Sequence, residues 1–130
     1  MSRDPYSERV RALFASPLHA GSMSTPYRVL VDDQGIRIEL SATLDGDVIQ
    51  RLRFRAWGCP HVVAAAEWIC TQLEGESAAR LQDFAITELM QSLAVPVEKS
   101  GRILVVEDAV RALGAAIKVS STIAGQAEQD

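Results

Sequence analysis

The hydrophobic period of this chain changes at Gly58-Cys59-Pro60-His61. Before that point apolar residues alternate with polar ones; after it they recur every three or four residues. Such a switch requires a strand to end and a helix to begin at this junction. Pro60 suits the first helical position, where a missing N–H costs nothing, and this makes Cys59 the N-cap. A thiol placed there feels the positive end of the helix dipole and the free N–H groups of the first turn. Its pKa is therefore expected to fall below that of a free thiol.

The strands leading into the junction can be read from their alternation. Ile36, Ile38, Leu40 and Ala42 alternate with Arg37, Glu39 and Ser41, the pattern of a half-buried strand. Tyr27–Val31 reads as a shorter strand before it, with Asp32-Asp33-Gln34-Gly35 as the intervening turn. Asp45-Gly46 is a strong hairpin signal. Val48, Leu52, Phe54 and Ala56 then continue the inward face, while Arg51, Arg53 and Arg55 point outward with Arg37 beside them. That arginine row is a candidate docking face, or else the charged row that keeps a solvent face soluble.

Helices flank the strands. Asp4 can cap and Pro5 can open a first helix whose Tyr6, Val10, Leu13 and Phe14 share a face, with Ser16-Pro17 ending it. Residues 18–26 form an irregular connection in which His19 reads as a surface loop residue rather than a ligand. After Pro60, the positions Val62, Val63, Ala66, Ile69, Cys70 and Leu73 define one packing stripe, with Glu67, Thr71, Gln72 and Glu74 off it and Gly75 ending the helix. Ser77 and Thr87 can cap short helices over 78–84 and 88–93. Beyond Pro96, the residues Ile103, Val106, Val110, Leu113 and Ile117 predict a last amphipathic helix. The fold class is therefore α+β: a three-stranded antiparallel sheet covered by helices, in one domain over residues 1–119, with residues 120–130 as a flexible polar tail.

Composition narrows the function classes. A net charge of −4 argues against a dedicated nucleic-acid binder, whose affinity would need a basic surface. The longest near-apolar stretch, Val62–Cys70, is interrupted by Glu67 and falls far short of the ~20 residues a membrane span requires. The first residues carry no basic flank followed by an apolar core, so no secretory signal is read, and a cytoplasmic location is the simplest expectation. Cys59 and Cys70 lie on one helix, roughly 16 Å apart at 1.5 Å per residue, too far for a disulfide or a shared ion. Cys70 reads as a buried hydrophobe. Cys59 and His61 are close enough to share an ion but do not make a closed tetrahedral site. No nucleophile–base order, Gly-rich phosphate loop or His-x-x-x-His pair is present, so the residues give no case for an enzyme.

In order and spacing the chain resembles the NifU/IscU-type iron–sulfur cluster scaffold family, from Tyr6 to about Ala116. The resemblance rests on Tyr6-Ser7-Glu8-Arg9-Val10, Pro17 with Ala20-Gly21-Ser22, Phe54-Arg55-Ala56-Trp57-Gly58-Cys59, Ala64-Ala65-Ala66, Gly75-Glu76-Ser77, and Pro96, Lys99 and Glu107-Asp108-Ala109. It implies a 2Fe-2S cluster built on three cysteines, often helped by an aspartate near the first and a histidine beside the third. The second cysteine falls on Cys59, so Cys59 is the implied cofactor and metal ligand, with His61 a lesser metal candidate. The first falls in the turn holding Asp32 and Asp33; the third falls on Arg102, its neighbouring histidine on Gly101, and the loop's lysine on Lys99. One thiolate position of three is thus filled by cysteine, and Arg102 brings a fixed positive charge to another.

The resemblance implies a scaffold-like protein of iron–sulfur cluster assembly, binding iron or a cluster weakly through Cys59. The alternative is a cluster-free adaptor of the same fold that docks assembly partners such as a cysteine desulfurase. A thiol redox role for Cys59 ranks last, because no resolving cysteine lies within reach. No cofactor is needed for the fold, and a homo-oligomer that joins two Cys59 thiolates is compatible with the sequence.

Overall fold

The computed structural model describes residues 7–15 and 17–129, with side chains of the last helix described through residue 118. Helix α1 (Glu8–Ala15) precedes three strands, β1 (Tyr27–Asp33), β2 (Ile36–Asp45) and β3 (Val48–Trp57). Helices α2 (Pro60–Leu73), α3 (Thr87–Ser92) and α4 (Ser100–Gln129) follow, with 3-10 turns at Ala78–Leu81 and Val97–Lys99. The sheet is an antiparallel meander of order β1-β2-β3. Both links are two-residue turns that need left-handed backbone: Gln34 and Gly35 have φ of 54° and 77°, and Gly46 has φ of 60°.

The α+β class and the meander stand, and the structure corrects several details. Val48 is exposed and Ile49 is buried, the reverse of the expected phase. The cause is a β-bulge: Thr43 pairs with Arg51 but Leu44 pairs with Ile49, so Gln50 is an extra residue in β3. Inserting one residue moves every earlier side chain of that strand to the opposite face. Phe14 is half-exposed, and Val10 is the buried residue of α1. Asp4, Pro5, Tyr6 and Ser16 lie outside the described residues. The observed cap of α1 is Ser7, whose hydroxyl accepts from the Val10 N–H at 3.2 Å and donates to Leu93 O at 2.8 Å. Ser77 does cap its 3-10 turn, whereas α3 is capped by Ile86 and not by Thr87. The α4 backbone is helical to Gln129, past the point where a polar tail was expected. Alanine and glutamine are good helix formers, and no proline interrupts that stretch.

Helix α2 is the centre of the fold. In place of a single stripe, ten of its residues are buried, among them Glu67, which was expected off the stripe, and Ala64, Ala65 and Trp68, which the stripe did not include. The sheet, α1, α3 and α4 all pack on it, which explains why three consecutive alanines occupy it: small side chains let four neighbours approach. At its end Gly75 turns with φ of 89°.

Burial of Glu67 dictates the path of the connection between α1 and β1. A buried carboxylate is costly unless paired and fully hydrogen-bonded. Here Oε1 accepts from the His19 N–H at 2.7 Å, and Oε2 accepts from the His19 imidazole and from the Thr71 hydroxyl at 3.1 Å. His19 is therefore a structural residue and not a surface loop residue. Its Nε2 lies 3.6 Å from Glu74 Oε1, and Glu74 Oε2 accepts from Arg53 at 2.7 Å and from the Leu52 N–H at 2.9 Å. This network pins residues 19–21 to the edge of β3, where Ala20 bridges Phe54 in parallel. The connection then crosses the outer face of the sheet, where Ser22 donates to Glu39 at 2.7 Å, before entering β1.

Two outcomes test this network. His19→Ala leaves the Glu67 carboxyl buried without the imidazole that hydrogen-bonds it and is expected to destabilise the fold by about 3 kcal/mol, read by urea denaturation. The Glu74 carboxyl is pushed up by burial, but the Leu52 N–H, Arg53 and His19 outweigh this and hold it below its ordinary value. A depressed carboxyl contributes stability that is fully present above its unfolded pKa and is lost as pH falls through its folded one. Glu74→Gln should thus weaken the fold at neutral pH, with the deficit closing as urea midpoints are followed down through about pH 4.

Candidate functional site

Three segments meet at the N-terminal end of α2: the β1–β2 turn, the β3–α2 junction and the start of α4. Their contact is close. A Cβ added to Gly58 would lie 2.9 Å from Ile36 Cδ1, so only glycine lets β3 end against the turn without displacement. A Cβ on Gly101 would lie 3.8 Å from Gln34 Oε1, which places the α4 entrance beside the same turn. The positions singled out in the sequence at 32–34, 59 and 99–102 thus belong to one locality.

Cys59 is half-buried at the N-cap of α2, with extended backbone (φ −79°, ψ 165°) and Pro60 following. Its carbonyl accepts from the Val62 N–H at 2.9 Å, and its sulfur makes no strict capping hydrogen bond. Burial alone would push the thiol up. The Val62 N–H, the Arg102 guanidinium and the His61 N–H outweigh it and hold the thiol below its ordinary value. The helix-start reading of Cys59 therefore stands, with a contribution that the sequence left out: Arg102 faces the sulfur and stabilises the thiolate. Cys70 is the opposite case. It is fully buried, and burial together with Glu67 and Glu74 pushes its thiol well up.

The remaining candidates divide. His61 is fully buried in the first turn of α2, and burial, then Lys99 and Arg102, hold its imidazole below the ordinary value, so it is neutral at pH 7. Lys99 is half-buried and Arg102 exposed at the mouth of the site. Asp32 is turned to the outer face and engaged by Arg37 at 3.0 Å, while Asp33 is exposed at the end of β1. Among the described residues no three His, Cys, Asp or Glu side chains are grouped to hold a metal ion. The arginine row is not uniform: Arg53 is bound to Glu74, Arg51 is exposed, and Arg55 lies over the Trp57 ring at 5.0 Å. Sequence reasoning missed the Arg102–Cys59 pairing because the two residues lie on segments joined only by tertiary packing. It missed His19 because nothing local marks a buried carboxylate partner on α2.

This fold and this three-segment locality define a class. The NifU-like N terminal domain family matches residues 5–123, and the chain belongs to that family. Over 117 residues it is 24% identical to the iron–sulfur cluster assembly scaffold protein IscU of Rickettsia prowazekii, covering 82% of this chain and 87% of that protein. It is 25% identical over 123 residues to iron sulfur cluster assembly protein 1, mitochondrial, of Yarrowia lipolytica, covering 85% of this chain and 65% of that longer protein. The N-terminal part of a nitrogen-fixing NifU-like protein from Brucella abortus has the same fold, with a TM-score of 0.68 at 14% identity over 86% of this chain and 93% of that one. Among the described residues no helix is long and apolar enough to cross a membrane.

The Cys59 environment makes a direct prediction. Alkylation by iodoacetamide followed against pH should show one reactive thiol, Cys59, with its midpoint below the ordinary thiol value, while Cys70 stays unmodified in the folded protein. Arg102→Gln should move that midpoint upward; an unchanged midpoint would mean that the guanidinium does not act on the sulfur.

Proposed function

We propose that the protein works in iron–sulfur cluster assembly as an adaptor of the scaffold fold, docking assembly partners such as a cysteine desulfurase and presenting Cys59 as a reactive thiolate. It is not an enzyme in this reading. Family membership across residues 5–123 supports the process. The observation that carries the adaptor role is Arg102, whose guanidinium faces the Cys59 sulfur from the position where the family's third thiolate ligand falls.

The chemistry of the donor set supports the same conclusion. Iron–sulfur clusters are held mainly by thiolates. Cys59 is the one thiol at this locality, Asp32 is engaged by Arg37, and a guanidinium cannot ligate iron. An iron ion approaching Cys59 meets the positive charge of Arg102, which already acts on the sulfur. These residues do not fit a 2Fe-2S cluster closed by one chain. The second reading, weak binding of iron or a cluster through Cys59, rests on that residue's lowered thiol pKa and on the proximity of the β1–β2 turn.

Anaerobic incubation with ferrous iron and sulfide, followed by desalting, iron analysis and visible absorbance, separates the two. The adaptor reading expects substoichiometric iron and no visible band in the wild type, together with capture by a purified cysteine desulfurase. Stoichiometric iron lost in Cys59→Ala would establish the cluster-carrying reading instead. Absence of desulfurase capture would remove that partner from the adaptor reading.

A further inference from the structure

The two edges of the sheet differ. At the β3 edge, the Ile49 carbonyl accepts from the Gly75 N–H, and the Leu52 N–H donates to the Glu74 carboxylate at 2.9 Å. The Phe54 N–H donates to His19 O at 3.0 Å, and its carbonyl accepts from the Gly21 N–H at 2.8 Å. Phe54 thus turns both main-chain groups away from β2. Its partner there, Leu40, therefore turns both of its own groups toward β1, where it faces Val29. Val29 is bonded into the sheet, and alternation turns the N–H and C=O of Arg28, Leu30 and Asp32 outward. Among the described residues no hydrogen bond closes any of these groups. Helix α4 packs on β1 without bonding to its edge.

Open edges are commonly blunted by a proline, a bulge or a lysine. β1 has no proline or lysine between Tyr27 and Asp33, and its pairing with β2 runs without a shift. Its outward residues, Arg28, Leu30 and Asp32, also carry their side chains on the outer face of the sheet. Leu30 is 58% exposed, and Arg28 is exposed with no carboxylate partner among the described residues. Both contacts from Arg37 to Asp32 fall on Oδ2, which leaves Oδ1 without a partner among the described residues.

We infer that β1 pairs antiparallel with β1 of a second copy, about a two-fold axis at Leu30. The inference does not depend on the cluster-assembly reading. One register sets every outward residue against an outward residue: Leu30 faces Leu30, and Arg28 faces Asp32 on both sides of the axis. A shift one way sets Asp32 against Pro26, which has no N–H, and a shift the other way sets Arg28 against Gln34 in the turn. The register that the main chain prefers is thus the one that matches opposite charges. At its centre the two exposed leucines cover each other, and on the inner face Val29 stands opposite Val31. This self-complementary order of cation, leucine and anion selects a second copy over an unrelated strand. The two β1–β2 turns then lie about 27 Å apart along the strands, so the pairing keeps the two Cys59 thiols apart and completes no cluster site.

The test is sedimentation equilibrium of the full chain over a range of concentrations. A reversible monomer–dimer equilibrium is expected. Arg28→Asp and Asp32→Arg each set like charges opposite one another and should weaken it about tenfold, while Arg51→Glu on β3 associates as wild type. Mixing the Arg28→Asp chain with the Asp32→Arg chain sets opposite charges against each other at both pairs. The mixture should recover the dimer, which also excludes misfolding as the cause of either loss. Amide hydrogen exchange at Leu30 should slow as the concentration rises. A monomer at every concentration up to about 1 mM, unchanged association of both single variants, no recovery on mixing, or Leu30 exchange independent of concentration would overturn the proposal.

Discussion

The structure depends on one buried carboxylate. Glu67 sits on the helix that every other layer packs against, and it is 2% exposed. An ionised group in that position costs several kcal/mol unless its lone pairs are filled and its charge is met. The fold meets the requirement from outside α2, by bringing the backbone and ring of His19 onto it. The consequence reaches far along the chain. Once His19 is fixed, Ala20 and Gly21 lie along β3, the connection must cross the outer face of the sheet, and Ser41 on that face is buried beneath it. The face that alternation alone would leave to solvent is partly roofed.

Both ends of α2 are charged, by different means. At the C-terminal end the dipole disfavours an anion, yet Glu74 stands there as the cap. Arg53 and His19 compensate, and the same carboxylate closes the Leu52 rung of β3. At the N-terminal end the dipole favours an anion, and Cys59 is the group placed to supply it. The helix thus ties the sheet edge at one end and holds the reactive sulfur at the other. At the second end Gly58 packs directly on Ile36, which seats the Cys59 junction against the β1–β2 turn.

Most of the architecture was legible in the sequence because it follows from local period. The alternation of Ile36–Ala42, the Gln34-Gly35 turn and the spacing of Ile103 to Ile117 each carry their own signal. What was not legible depends on tertiary pairing. The Gln50 bulge leaves no mark in composition, and it reversed the assignment of Val48 and Ile49. The stripe on α2 was read correctly but is only part of its buried surface, since alanine is compatible with either environment. At the site, Cys59 was legible from helix-start chemistry. The engagement of Arg53 by Glu74 and of Asp32 by Arg37 was not, because each joins segments whose approach only the folded sheet defines.

Arg102 sets the electrostatics at the N-terminal end of α2. With a thiolate at that position, the N-terminal end of α2 would gather negative charge for a metal to neutralise. With a guanidinium there, the helix dipole, Arg102 and Lys99 are all positive, and Cys59 is the group that answers them. Arg102 and the N–H groups of the helix start favour the ionised sulfur, and the same positive charge disfavours a second cation beside it. The two effects have one origin and cannot be separated by small movements of the side chain. A sulfur held this way is a better nucleophile at neutral pH than a free thiol and a poorer seat for iron than its ionisation alone would suggest. Burial first, then Lys99 and Arg102, hold His61 below its ordinary value, so of these two side chains the Cys59 sulfur is the one favoured in its charged form.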